Sequence, residues 1–287
     1  MALAISGVNT GIIRHENNFA ALALKIKHPK NKQSLLFFPL VPLKDFLLAL
    51  EHRLALQGRS AGEAKEQQRK AIEAASKKMH KHIPPFEESE MQPADVGLRV
   101  DKVTLLENKG TDLIFAFQQH NGSTVEVAVN EHQIELLVTA MIHAINNAGL
   151  RDIALSLSSL LDFLPLFDVE FKEGGNIEYD SYQQEVWKQT LFSQHQALVY
   201  CYTDENGEKQ YSGTVIKTRN PANSEEMASI SRRVLDYSHR LNKLKGKPCQ
   251  VSVRTLASGV RGALTLEQSM RGLHLVQQHM QQESAKQ

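Results

Sequence analysis

Ala197-Leu198-Val199-Tyr200-Cys201-Tyr202, Asp204-Glu205-Asn206-Gly207-Glu208-Lys209, then Tyr211 through Thr218: this stretch decides the fold. The first run is β-branched and aromatic, and the last alternates apolar with polar. Between them the Asn-Gly pair tolerates the positive φ angles of a tight turn, so the segment predicts a β-hairpin. It runs into Asn223-Ser224-Glu225-Glu226, where Asn223 can accept from a free amide of the first turn while Glu226 reaches back to the cap. Met227, Ile230, Val234, Tyr237, Leu241 and Leu244 then recur every three or four residues, lining one face of a helix. Arg240, Lys243 and Lys245 suit its C-terminal dipole, and Gly246 suits the residue just past its end.

The same grammar recurs along the chain. Val125, Val127 and Val129 alternate into the capping box Asn130-Glu131-His132-Gln133, followed by the stripe Ile134, Leu137, Met141 and Ile145. Thr265-Leu266-Glu267-Gln268 opens a helix carrying Met270, Leu273, Val276 and Met280. Leu35 to Leu40 leads to Pro42, suited to the first helical position, and then Leu43, Phe46, Leu47, Leu50 and Leu54. We read four strand-hairpin-then-helix units. The fold class is α+β: mainly antiparallel sheets built from hairpins, each followed by an amphipathic helix packed on one face.

A chain of 287 residues with 41% hydrophobic content is large enough for two cores. Lys and Arg total 33 against 32 Asp and Glu, so a nucleic acid or membrane partner would need a local patch. The two cysteines, Cys201 and Cys249, read as reduced thiols on strands. The first residues lack a basic segment followed by an apolar core, and no run reaches the roughly 18 apolar residues of a membrane span. The chain therefore reads as cytoplasmic, without a membrane partner.

Ile12-Ile13-Arg14, Phe19 to Lys27 and the strand before Pro42 predict a three-stranded meander. Here Gly7-Val8-Asn9-Thr10-Gly11-Ile12-Ile13-Arg14 and Pro39-Leu40-Val41-Pro42-Leu43-Lys44-Asp45 resemble an uncharacterised enterobacterial family of the YjeJ type. The resemblance implies a bacterial cytosolic setting and carries no activity. From Ser60 to His82 the composition turns to Ala, Glu, Gln, Lys and Arg, with a thin stripe of Ala64, Ala71, Ile72, Ala75 and Met79. Ile83-Pro84-Pro85-Phe86 stops that helix. Residues 59–94 form a protruding helical arm and linker within a first domain, 1–164, and the stripe is the candidate self-association surface.

Gly97 to Leu106 and Asp112 to Gln119 read as strands, with a turn at Glu107 to Gly110. Arg151 to Leu164 reads as a helix capped by Asp152 and ended by Pro165. The second domain, 165–287, starts with the strand Leu166 to Phe171, passes Gly174-Gly175, and continues with a helix from Tyr182 to Phe192. It ends with the strand Gln250 to Leu256, a turn at Ser258-Gly259-Val260-Arg261-Gly262, and the last helix.

Function is the weakest signal in the chain. His80 and His82 lie two apart on a helix, and His274 and His279 five apart, neither matching helical zinc-ligand spacing. The Ser258 to Gly262 loop matches no phosphate-binding fingerprint, and no nucleophile elbow occurs. We assign no catalytic, metal or cofactor-binding residues. The leading expectation is a non-enzymatic protein-interaction or regulatory protein, a homo-oligomer or partner-binding chain. The alternative is nucleic-acid binding by two basic helices, 65–81 and 223–247, through Lys77, Lys78, Lys81, Arg232, Arg233, Arg240 and Lys243. An enzyme with an unrecognised site is a third reading.

Overall fold

The computed structural model describes residues 2–59, 61–159, 161–172, 175–257 and 264–284. They divide into two compact units, Met1–Leu161 and Asp162–Gln287. Both are α+β, with almost every strand pairing antiparallel. Among the described residues no helix is long and apolar enough to cross a membrane.

The first unit begins with β1 (Leu3–Ala4), β2 (Gly7–His15), β3 (Asn18–Lys27), β4 (Gln33–Phe38) and α1 (Leu40–Gln57). The arm is α2 (Gly62–His80), followed by the single turn α3 (Glu88–Met91). Then come β5 (Val100–Lys109), β6 (Asp112–Gln119), β7 (Thr124–Asn130), α4 (Ile134–Asn147) and α5 (Arg151–Ser159). Two meander-then-helix modules result, β2-β3-β4-α1 and β5-β6-β7-α4, and β1 adds to β7 in parallel. The capping box at Asn130 forms as expected: its side chain accepts from His132 N at 3.1 Å, and Gln133 Oε1 accepts from Asn130 N at 3.2 Å. Alternation along β3 sends Leu22, Leu24 and Ile26 into the helix-covered core. There Phe38, Phe46, Phe115 and Phe117 meet with ring centroids 4.9 to 5.8 Å apart, in edge-to-face and stacked pairs.

The opposite face of the β2-β3-β4 sheet carries small residues, and the linker after α2 lies on it. Phe86, Met91, Ala94 and Leu98 pack against Ala21, Ala23 and Phe37. A Cβ on Gly7 would stand 2.1 Å from the His82 carbonyl oxygen, so glycine is what lets the two backbones touch. Lys25, buried on this face, donates to the Pro85 carbonyl at 2.7 Å and pairs with Glu90 at 2.7 Å. The linker half of the expected arm is therefore a covering layer, because prolines that end a helix do not stop Phe86 and Met91 from being buried.

The second unit comprises β8 (Phe163–Phe171), β9 (Ile177–Ser181), α6 (Val186–Thr190), β10 (Gln194–Thr203), β11 (Lys209–Thr218), α7 (Glu225–Tyr237), β12 (Gln250–Leu256) and α8 (Leu266–Ser284). Its sheet order is β12-β10-β11-β8-β9. The β10–β11 hairpin turns as its Asn-Gly pair predicts, with Gly207 at φ 83° and the Asp204 carboxylate accepting from the amides of Asn206 and Glu208. The Thr265 box also forms: Thr265 Oγ1 accepts from Gln268 N at 3.1 Å, and Gln268 Oε1 accepts from Thr265 N at 2.9 Å.

Several expectations are corrected. Helices do not share one face of this sheet: Leu198, Tyr200 and Ile216 face α7, whereas Ala197, Val199 and Val215 face α8. The cap of α7 is Ser224, accepting from Met227 N at 3.3 Å, and the helix stops at Tyr237 instead of reaching Leu244. Pro165 does not end a helix; it sits in β8 at the irregularity opposite Val215 and Ile216, where a missing amide is tolerated. The strand β9 lies in the stretch expected as loop ahead of the next helix, and that helix runs Val186–Thr190 instead of Tyr182 to Phe192. β12 pairs with β10, so a lone strand, not a hairpin, precedes α8. The expected turn at residues 258–262 lies outside the described residues, between β12 and α8.

Candidate functional site

The arm is the first candidate. α2 has Ala64 exposed, Ala71, Ile72 and Ala75 half-buried, and Met79 only 1% exposed. Met79 thus belongs to the interior of its own unit, which removes it from the expected self-association stripe. Its neighbours include Val8, Ile83 and Leu136. The outer face is held by Arg69, which bonds Glu66 at 2.8 Å and Glu73 at 2.8 Å, the spacing that supports an exposed helix.

Alanine is too short to fill the space between α2 and the rest of the unit. A hollow of about 510 Å³ opens on one side, lined by Arg53, Gln57, Ala64, Gln68, Ala71 and His132. A second, of about 550 Å³, is lined by Leu54, Gly58, Lys65, Ile72 and Glu135. At the first, Gln57 Oε1 and Arg53 Nε are buried without a hydrogen-bond partner, although Arg53 Nε stands 3.3 Å from Glu131. The final turn of α2 is buried at Met79, and its middle lies against the turn Glu131–Gln133.

The second candidate, the basic segment around α7, is largely neutralised. Arg233 pairs with Asp162 at 2.6 Å, and Arg240 with Asp180 at 2.7 Å and Glu178 at 3.3 Å. Lys243 bonds Glu170, which Lys172 also contacts at 2.9 Å. Hydrogen bonds from Lys243 and Lys172, acting against burial, hold the Glu170 carboxyl down at about 2. Lys245 pairs with Asp236 at 2.5 Å. Arg232 is exposed, its Nε donating to the Ala228 carbonyl at 3.2 Å. Arg240 and Lys243 fasten the segment after α7 to the acidic strands β8 and β9, and Arg233 ties α7 to Asp162 just ahead of β8. On the arm, Lys77, Lys78 and Lys81 are exposed and make no ion pair among the described residues.

A polar cluster that spacing could not reveal lies beneath the end of α7. Asp168 is fully buried, and its Oδ2 accepts from the hydroxyls of Tyr182 and Ser238, while Oδ1 has no partner. Ser238 Oγ also accepts from Leu241 N at 2.8 Å, and this competing bond ends the helix. Burial, then the Asp168 carboxylate, push the Tyr182 phenol up to about 12. On the α8 side of the sheet, buried His195 and Lys217 are cross-strand partners. Burial and then the Lys217 charge bring the imidazole down to about 4, and burial lowers the Lys217 ammonium, which donates to the Gln189 carbonyl at 2.8 Å.

Among the described residues no group of three or more His, Cys, Asp or Glu is placed to hold a metal ion. His80 bonds the Ser76 carbonyl at 2.8 Å, and His274 meets Gln278 at 3.0 Å. Cys201 and Cys249 are both free thiols; Cys201 joins the core under α8, and Cys249 packs with the cluster under α7.

No solved structure matches this chain. An uncharacterised protein, YjeJ of Escherichia coli K12, is 48% identical over 274 residues, covering 96% of this chain and 95% of the relative. A family profile described as YjeJ-like matches residues 1–283. With the profile spanning nearly every residue and a relative alike along its whole length, the chain belongs to the YjeJ-like family.

Proposed function

We propose that this chain is a non-enzymatic cytoplasmic interaction protein that self-associates through the open side of α2. The observation that carries this reading is the pair of hollows flanking α2, about 510 and 550 Å³. Both are open grooves at the surface, and the stripe beside them, with Ala64 exposed and Ala71, Ile72 and Ala75 half-buried, suits completion by another chain. Cys201 and Cys249 lie in clusters on opposite faces of their sheet and form no disulfide, which is compatible with a reducing compartment. The buried polar groups that resemble chemistry, Asp168, Tyr182 and Ser238, bond to one another and shape the end of α7.

Sedimentation equilibrium tests it. The native chain is expected to exceed its 32.2 kDa monomer mass as concentration rises. Ala71→Glu with Ala75→Glu is expected to weaken that step by about tenfold or more while leaving the melting temperature near native. An association indifferent to the double substitution rejects α2 as the contact.

A nucleic-acid reading retains one supporting feature, the exposed Lys77, Lys78 and Lys81 at the end of the arm. It requires affinity that falls steeply with salt, with a slope reduced by roughly 0.9 for each phosphate contact removed when these lysines are changed to Gln.

A further inference from the structure

The sheet edges of this protein are not equally protected. β1 is two residues long; β2 shifts register between Ile13 and Arg14; β4 is six residues long and is bridged at Phe37 by Arg99; β5 is broken twice, after Val100 and after Leu105. β9 carries Glu178 and Asp180, both ion-paired to Arg240. Short strands, bulges and charges are the usual devices against edge-to-edge pairing. β12 has the fewest: Gln250-Val251-Ser252-Val253-Arg254-Thr255-Leu256 runs seven residues in unbroken register with β10, contains no proline and carries a single charge, Arg254. Among the described residues it lies at the edge of its sheet, with Gln250, Val251, Arg254 and Thr255 exposed.

We infer that β12 is a docking edge for β12 of a second copy, paired antiparallel about a two-fold axis at Val253. The sequence is self-complementary in that register. Val253 meets its own counterpart, Val251 meets Thr255, Ser252 meets Arg254, and Gln250 meets Leu256, so no like charges oppose. Val253 packs with the cluster under α7 and Leu256 with the cluster under α8, which puts Val251, Val253 and Thr255 on one face. Across the axis these become a continuous ladder of β-branched residues. A one-residue slip would set Val against Ser and Arg instead. This contact is separate from α2.

The register is tested by cross-linking in a Cys249→Ser background under mild oxidation with diamide. Val253→Cys is expected to trap a disulfide-linked dimer, and Val251→Cys is not, since its counterpart lies across from Thr255; Val251→Cys with Thr255→Cys restores the link. Sedimentation separates the two contacts. Val251→Lys, at an exposed position, is expected to weaken the β12 step about tenfold or more, whereas Ala71→Glu with Ala75→Glu leaves it intact. Cross-linking of Val251→Cys alone as efficient as that of Val253→Cys, or association unchanged by Val251→Lys, overturns the inference; association that Val251→Lys weakens but Ala71→Glu with Ala75→Glu leaves wholly unchanged overturns only the reading of α2.

Discussion

At the scale of single residues, two buried charges show how environment sets a side chain's value. Lys25 keeps its ammonium away from water only because Glu90 and the Pro85 carbonyl receive it. Burial raises the Glu90 carboxyl, but Lys25 and the Glu87 amide outweigh that and hold it below the usual range. Glu90 remains a quarter exposed and Lys25 does not, so the two removals are unequal. Glu90→Gln strands the lysine and is expected to cost about 3 kcal/mol in urea denaturation, Lys25→Met appreciably less. His195 gives a pH signature. Its imidazole binds a proton only near pH 4 when folded but at 6.5 when unfolded. Between those values the unfolded chain holds more protons, so stability is full above 6.5 and declines as pH falls toward 4. In His195→Asn that slope is expected to flatten, read as the urea midpoint across the same interval.

At the scale of elements, legibility follows the range of the interaction that decides each feature. The boxes at Asn130 and Thr265 are visible in sequence because donor and acceptor lie three residues apart. The end of α7 is not, since Ser238 is diverted by Asp168, 70 residues away. β9 escapes periodicity because its alternate residues include Glu178 and Asp180, whose partner Arg240 is equally remote. The ion pairs of Arg233, Arg240 and Lys243 were illegible for the same reason, and what reads as a basic helix is a fastened segment. The covered face of the first sheet left a faint trace, the small residues Gly7, Gly11, Ala21 and Ala23. Substituting alanine separates two kinds of closeness there. At Gly7 the new methyl meets backbone oxygen at 2.1 Å, whereas at Gly11 it meets the mobile end of Met91 at 2.9 Å. Gly7→Ala is expected to lift the linker and expose residues 82–92 to protease, and Gly11→Ala to leave digestion near native.

At the scale of the whole molecule, each unit has its own core and its own sensitivity. The second depends on an ionic lattice of Glu170, Glu178, Asp180, Lys172, Arg240 and Lys243. Glu170 falls from 4.5 to about 2 on folding, so its contribution is complete above pH 4.5 and disappears as the pH drops toward 2. Acid is expected to loosen this unit through that window, and Glu170→Gln to remove the dependence, followed by the near-ultraviolet signal of Trp187. The sheet that separates Cys201 from Cys249 has one more consequence. Each sulfur sits in a different half of the same unit, so their alkylation rates act as two clocks, one timing the departure of α8 and the other the departure of α7. If the halves come apart together the clocks keep the same time; if one helix peels away first, its sulfur is modified while the other is still shielded.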